Sequence, residues 1–359
     1  MKLALVYNVY DSVSGESTFF GNMLSGMRGK GFDVIDCGIR QDISGLMGKF
    51  DYYSRVRVLR DTRAALRKIR PDVVHFLNAA LAPAADALRG PKKVATSHFV
   101  ASSYFQLSPP QNPLAKIAES AFCRYAEALD RPAFQSMDAL VACTEYQRMF
   151  LEKNFALKNC LAIPPGIDAA YFSKLPKRDL ASEFGAEKIV VCAGRLHERS
   201  KGVSYAIRAM KHLEGMKLLV IGDGPDRNTY VRLAEREGLA DSVRFLGRLD
   251  FGEKSIIQKS ADVAVIPSLY EVYGTVFAEA IACGTPVCAF DQPFWKGLYD
   301  GAGIFARPRD EKALAVGIRT LAADVKAREA LVSRYPAITA NNDVKKTIEA
   351  YAELYSSLA

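Results

Sequence analysis

Histidine is scarce in this 359-residue chain, with four copies, and the seven cysteines are odd in number and scattered. Cys37, Cys123, Cys143, Cys160, Cys192, Cys283 and Cys288 form no Cys-x-x-Cys pair. Several sit in apolar runs such as Val190-Val-Cys-Ala, so they read as reduced core thiols, which argues against a disulfide framework or a zinc site. No Asp-x-Asp string occurs, so no catalytic metal is implied. No apolar run approaches the length of a membrane span. The opening Met1-Lys-Leu-Ala-Leu-Val-Tyr is a short strand pattern; a signal peptide needs a longer apolar core and a small-residue cleavage site. A cytoplasmic chain is expected. Solenoid-period repeats and low-complexity tracts are both missing.

The composition that is present, 49% hydrophobic and 25% charged, is ordinary for a globular enzyme, and the length suits two domains better than one core. The net charge of +8 is unevenly spread. Arg55, Arg57, Arg60, Arg63, Arg67, Lys68 and Arg70 fall close together and are opposed in that stretch by Asp61 alone. With Val56, Leu59, Ala64, Leu66 and Ile69 supplying apolar positions, the segment predicts a basic amphipathic helix. It is either a solvated cationic face or a site for an anionic membrane surface on the inner leaflet. Nucleic acid is not expected, since no recognition motif or interleaved aromatics accompany the charge.

Strand and helix signals alternate through the first half. Leu3 to Tyr7, Phe32 to Ile35, Pro71 to Phe76, Lys93 to His98 and Ala139 to Cys143 read as strands with helical segments between them. Such alternation predicts a parallel sheet with helices on both faces. Pro and Gly punctuation from Pro164 to about residue 185 reads as a linker. Alternation then restarts at Lys188, Lys217, Val243, Ala261 and Val287, and Thr347 to Leu358 reads as an amphipathic helix. The expected fold class is α/β, with two Rossmann-like, doubly wound parallel-sheet domains facing a central cleft. The expected domains are 1–168, joined by a C-terminal helix at about 342–359, and 169–341.

One string carries the most chemistry. Glu271-Val-Tyr-Gly-Thr-Val-Phe-Ala-Glu279 follows the strand-like Val263-Ala-Val-Ile and continues as Ala-Ile-Ala-Cys-Gly-Thr-Pro-Val. Glu271 is therefore placed in a loop at a strand's carboxyl end, and Glu279 about two turns into the next helix. Ligands bind at that edge of open α/β sheets, and ionised carboxylates accept from paired hydroxyls. Gly194-Arg195-Leu-His-Glu-Arg-Ser-Lys201-Gly202 likewise opens a helix after a strand. An anion there gains two cations and the orphan N–H groups of a first helical turn.

These strings resemble the retaining glycosyltransferases with the GT-B fold, family four (glycosyl transferases group 1). The resemblance runs over almost the whole chain and is strongest from 188 to 290. It implies that Arg195 and Lys201 hold a diphosphate, that Glu279 takes the ribose hydroxyls and that Glu271 takes the donor sugar. The N–H groups of Tyr273 and Gly274 would then reach sugar hydroxyls, and those of Thr275 and Val276 phosphate. Tyr273 stands where Phe is commoner. The turn Gly222-Asp-Gly224 would lie close to the nucleotide and Arg248 would contact the base. His98, at a strand end, would lie near the donor sugar, with His75 a second-rank candidate and Thr144-Glu145 a polar turn at the cleft. After the first strand the family tends to have paired glycines. Here Asp11-Ser-Val-Ser-Gly15-Glu-Ser has only Gly15, which would keep the close approach to the donor phosphate, while Ser14 and Glu16 depart from the pattern, which puts any acceptor inferred from relatives in doubt.

The implied reaction moves a hexosyl group from a UDP- or GDP-linked sugar to a hydroxyl acceptor, a lipid-linked acceptor or growing glycan among the candidates. It is retaining and metal-independent and needs no cofactor; the resemblance implies a course on one face of the sugar ring, while Glu271 is the only geometric candidate for the nucleophile of a double displacement. A nucleotide-sugar epimerase of the same fold and a non-catalytic sugar-nucleotide-binding protein are the alternatives.

Overall fold

A computed structural model describes residues 1–9, 15–40, 55–98 and 112–359. The chain divides into two compact units, one made of Met1–Gly166 and Val344–Ala359, the other of Ile167–Asp343.

In the first unit, β1 (Lys2–Val9), β2 (Asp33–Arg40), β3 (Val73–Phe76), β4 (Lys92–Ser97), β5 (Ala139–Ala142) and β6 (Cys160–Ala162) form one sheet in the order β2-β1-β3-β4-β5-β6. Every neighbouring pair is parallel. The central strands are buried on both faces, which is why they read as continuous apolar runs such as Leu3-Ala-Leu-Val6 and not as alternation. The helix Val344–Leu358 returns to this unit and packs Tyr351 and Tyr355 against Leu3, Leu5 and Val94 in one apolar cluster.

In the second unit, β7 (Lys188–Ala193), β8 (Met216–Ile221), β9 (Val243–Gly247), β10 (Val263–Ile266), β11 (Val287–Phe290) and β12 (Ile304–Ala306) form a second parallel sheet in the order β12-β11-β10-β7-β8-β9. Counted from β7, this is the 3-2-1-4-5-6 order of dinucleotide-binding folds, whose direction of winding reverses between the first and fourth strands. The loops after β7 and β10 therefore open beside each other at the carboxyl edge, and they are the loops that carry Arg195, Lys201 and Glu271.

Three details differ from the sequence reading. The segment from Pro164 to residue 185 contains the short helices Ala169–Lys174 and Leu180–Phe184, each started by an Asp that caps it, Asp168 and Asp179. The strands β6 and β12, unrecognised in the sequence, are edge strands of only three residues each. The basic helix spans Val56–Leu66, and its inward face carries Val58, Leu59, Thr62 and Leu66, while Ala64 points to solvent.

Candidate active site

The loop after β7 is shaped by backbone packing. Gly194 N–H donates to Ile221 C=O at 2.9 Å, and Leu196 N–H donates to Asp223 C=O at 2.9 Å, so this loop and the Gly222-Asp-Gly224 turn lie backbone to backbone. A Cβ on Gly222 would fall 1.9 Å from the Gly194 carbonyl oxygen, and one on Gly224 would fall 2.3 Å from that of Leu196. The close approach these glycines permit is thus to the protein's own loop. Sequence reasoning had reserved it for the nucleotide.

Lys201 does not start a helix, as the sequence suggested. It ends the single turn Glu198–Lys201, whose first N–H is taken by Asp226 at 2.8 Å, and Gly202 in the left-handed region separates it from the helix Val203–Ala209. That placement aims the ammonium across the switch point. Lys201 Nζ pairs with Glu271 Oε1, to which Ser268 Oγ also donates at 3.2 Å. The two residues predicted to hold diphosphate and sugar are therefore in direct contact, both largely buried. Gly194, Arg195, Lys201, Pro267 and Ser268 line a small recess there. The Arg195 guanidinium makes no hydrogen bond or ion pair among the described residues.

Gly274 takes φ 74° and terminates the β10 loop, so the helix begins at Thr275 and runs to Ala282. Glu279 accordingly lies a little over one turn into the helix, where two had been expected. The first intrahelical bonds run from Phe277 and Ala278 N–H to Gly274 C=O. The Thr275 and Val276 N–H groups are left without a helical acceptor, and they form part of the positive end of the helix dipole. Tyr273 is buried, as are Val272 and Tyr270.

Glu279, 3% exposed, is not an open carboxylate. Lys254, on the helix Phe251–Ser260, donates to its Oε1 at 2.7 Å and its Oε2 at 2.9 Å, and lies over the Phe251 ring at 5.0 Å. Sequence reasoning missed Lys254 altogether. The only signal was a lysine in the first half of a helix, where the dipole disfavours a cation unless a carboxylate answers it. Arg248 lies exposed just past β9, in the turn that Gly247 opens at φ 70°.

In the first unit, His98 follows β4 and its ring meets Phe19 edge to face at 4.9 Å. Its Nδ1 lies 3.3 Å from Cys143 Sγ, and the ring also meets the backbone of Leu77 in a hydrogen bond. The residue keeps some exposed area, but burial of the ring lowers its pKa to about 4, so it is neutral at physiological pH. His75 is a correction. It is fully buried within β3, with Nδ1 2.5 Å from Tyr355 Oη and Nε2 2.7 Å from Thr96 Oγ1, and burial takes its pKa to about 3. It helps fix the C-terminal helix, and nothing leaves it open to a ligand. Thr144 caps the helix Glu145–Phe155 by accepting from Gln147 N–H at 3.1 Å, and Glu145 pairs with Arg148. Gly15 is the first residue of the helix Gly15–Gly29; the preceding loop with Ser14 lies outside the described residues, as does the Glu16 side chain.

The basic segment is less open than its composition suggests. Arg55 is buried, with Nη1 2.7 Å from Asp130, and Arg63 forms a two-pronged pair with Asp86, both atoms at 2.9 Å. Arg57, Arg60, Arg67, Lys68 and Arg70 remain exposed. No helix among the described residues is long and apolar enough to cross a membrane.

Two units, each wound on a six-stranded parallel sheet, with cations and glutamates gathered at the switch point of the second, define a GT-B protein. Residues 177–336 match the family described as Glycosyl transferases group 1, and residues 24–171 match Glycosyltransferase Family 4. The chain belongs to the group 1 glycosyltransferases. It is 30% identical over 245 residues to a glycogen synthase of Mycobacterium tuberculosis, a match covering 66% of this chain and 58% of that one. Across the curated relatives it matches, the chain spans about half of their length. Solved structures of the same fold include sucrose-phosphate synthase from Thermosynechococcus elongatus, with TM-score 0.83, 19% identity, and 99% and 98% of the two chains covered. HepE of Anabaena in complex with UDP-glucose is another, with TM-score 0.77, 18% identity, and 99% and 100% covered.

Proposed function

We propose that this protein transfers a hexosyl group from a nucleotide-diphosphate sugar to a hydroxyl acceptor with retention of anomeric configuration. The observation that carries the reading is the Lys201–Glu271 pair at the switch point, in the loop that leads into a helix start whose Thr275 and Val276 N–H groups have no helical acceptor. A cation, a helix start and a carboxylate in one place suit a ligand with an anionic end and a hydroxylated end. The donor would enter by exchanging partners: diphosphate takes Lys201, and sugar hydroxyls take Glu271. Arg195, unpaired among the described residues, adds the second positive charge.

In the reaction the bond between the anomeric carbon and the diphosphate oxygen breaks, and the acceptor oxygen bonds to the same face. The acceptor proton passes to the departing phosphate. Negative charge grows on that phosphate as the bond breaks, so Arg195, Lys201 and the helix start stabilise the transition state more than the ground state. Removing one such donor typically costs about 3 kcal/mol, roughly two orders of magnitude in rate. Glu279, paired with Lys254 through both carboxylate oxygens, accepts from the ribose hydroxyls, and Arg248 lies on the base side. On the first unit, His98 offers a neutral ring to a ligand hydroxyl. The exposed Arg57, Arg60, Arg67, Lys68 and Arg70 favour an acceptor presented at an anionic membrane surface.

The test is thermal stability against UDP-, GDP- and ADP-sugars without added metal, UDP-glucose first because of the HepE complex. A ligand at about a hundred times its dissociation constant stabilises by roughly 2.7 kcal/mol. The expected result is a shift with one base, diminished in Lys201→Ala. No shift with any donor would overturn the reading, and release of a free epimer in place of transfer would favour the epimerase.

A further inference from the structure

The chain holds a single tryptophan, Trp295, in the short turn Pro293–Trp295 just beyond β11. It is 2% exposed, and its ring packs edge to face on Phe277 at 4.9 Å and on Tyr299 at 5.9 Å. A ring this well enclosed normally finds an acceptor for its N–H. Here the indole Nε1 is buried and makes no hydrogen bond among the described residues. A buried donor left unpaired carries the full desolvation penalty of the group, and such a group in a native protein calls for a reason.

Its position supplies one. The Nε1 edge of the indole lies against Gly274: a Cβ built there would fall 2.9 Å from Trp295 Cζ2 and 3.0 Å from Nε1. Gly274 is the residue whose lack of a side chain opens the loop between Glu271 and the helix start at Thr275. Its own N–H makes no hydrogen bond among the described residues. Two donors unsatisfied among the described residues, one from the backbone and one from an indole fixed by packing, thus belong to neighbouring residues, and one of them is in the loop that carries Glu271.

We propose that Trp295 is a specificity-determining residue of the donor site, whose indole N–H donates to a hydroxyl oxygen of the transferred sugar alongside the Gly274 N–H. The inference rests on the nucleotide-sugar reading above and adds a sugar-selective contact to it. Glu271 accepts from sugar hydroxyls; Trp295 and Gly274 donate to them, so a sugar lacking an oxygen at that edge leaves both donors unpaired. A rigid ring cannot rotate away to compensate.

Because there is one tryptophan, the protein has one indole N–H resonance, which can be followed in the full-length wild type by two-dimensional proton–nitrogen NMR. The titrants are UDP-glucose and UDP, or GDP-mannose and GDP if the guanine pair is the one that stabilises. The sugar nucleotide is expected to move the indole resonance strongly and slow its exchange with solvent, while the nucleoside diphosphate leaves it in place. In Trp295→Phe, which keeps an aromatic ring and removes the donor, sugar-nucleotide affinity should fall about tenfold and diphosphate affinity by less than about twofold. Equal indole shifts with both titrants, or equal affinities in wild type and Trp295→Phe, would overturn the proposal while leaving the donor reading intact. If Trp295→Phe does not fold, the wild-type resonance decides alone. A wild type that binds neither titrant pair removes the donor reading, and this inference with it.

Discussion

Replacing Lys254 by methionine isolates the pair it makes with Glu279. The substitution keeps the aliphatic stem and its contact with Phe251 but deletes an ammonium that donates to both carboxylate oxygens, at 2.7 and 2.9 Å. Glu279 is then a carboxylate with 4% of its side chain exposed and no countercharge. Breaking a buried pair by removing one partner typically costs about 3–5 kcal/mol. The Lys254 side chain keeps 21% of its area exposed, so water screens part of the charge and the lower end, about 3 kcal/mol, is expected. For a domain of 150–250 residues that lowers the melting midpoint of the second unit by roughly 6–12 °C. The double variant Lys254→Met/Glu279→Gln leaves no stranded charge and should recover most of the loss, giving a coupling of about 2 kcal/mol in a double-mutant cycle. Calorimetry of the four proteins with and without nucleotide checks both statements. Single and double changes that simply add, or a Lys254→Met midpoint within about 1 °C of wild type, would refute the argument that Glu279 depends on its lysine.

Two further outcomes follow from packing and burial. Gly222→Ala would place a methyl 1.9 Å from the Gly194 oxygen at φ 129°, so it should cost about 3 kcal/mol or more and disturb the Arg195 loop. Gly238→Ala, at φ 71° but with nothing within 4 Å of the added atom, should cost only about 1–2 kcal/mol in urea unfolding, and equal losses at the two sites would count against the loop-to-loop contact. The neutral, buried His75 and His98 have pKa values lowered to about 3 and about 4, below the ordinary value near 6.5. The unfolded chain binds protons first, so their stabilisation is full above about pH 6.5 and is lost as pH falls toward the folded values. At about pH 5 the first unit should have lost roughly 2 kcal/mol through His75 and somewhat less through the partly exposed His98. Stability of that unit unchanged between pH 7.5 and 5 would contradict their burial as neutral rings.

The doubly wound sheets were legible because strands buried on both faces are continuous apolar runs, as in Leu3-Ala-Leu-Val6 and Val263-Ala-Val-Ile266. The edge strands β6 and β12 were not, because an apolar run of three residues is too short to be told from a loop or a helix end. The loop residues Arg195, Lys201 and Glu271 could be placed because chemistry at a strand's carboxyl end is a local pattern. What escaped was long range. Lys254 reaches Glu279 from another helix, the glycines of the 222–224 turn serve a neighbouring loop, and His75 is claimed by Tyr355 from the far end of the chain. Composition misled once: seven cations between Arg55 and Arg70 include two, Arg55 and Arg63, whose partners Asp130 and Asp86 lie outside that stretch.

The return of Val344–Leu358 to the first unit has a consequence for biosynthesis. Ile167–Asp343 is an insertion in the polypeptide of the other unit, and it leaves the ribosome with all its own strands in hand. The first unit begins earlier yet is completed later, since the tyrosines that cover Leu3, Leu5 and Val94 are translated after the whole of the second unit. During elongation that apolar face stands uncovered while the second unit folds, which is the interval when a nascent chain most needs a chaperone. A premature stop shortly before Val344 would leave a complete second unit tethered to an unfinished first, a molecule able to fold in part yet marked for degradation.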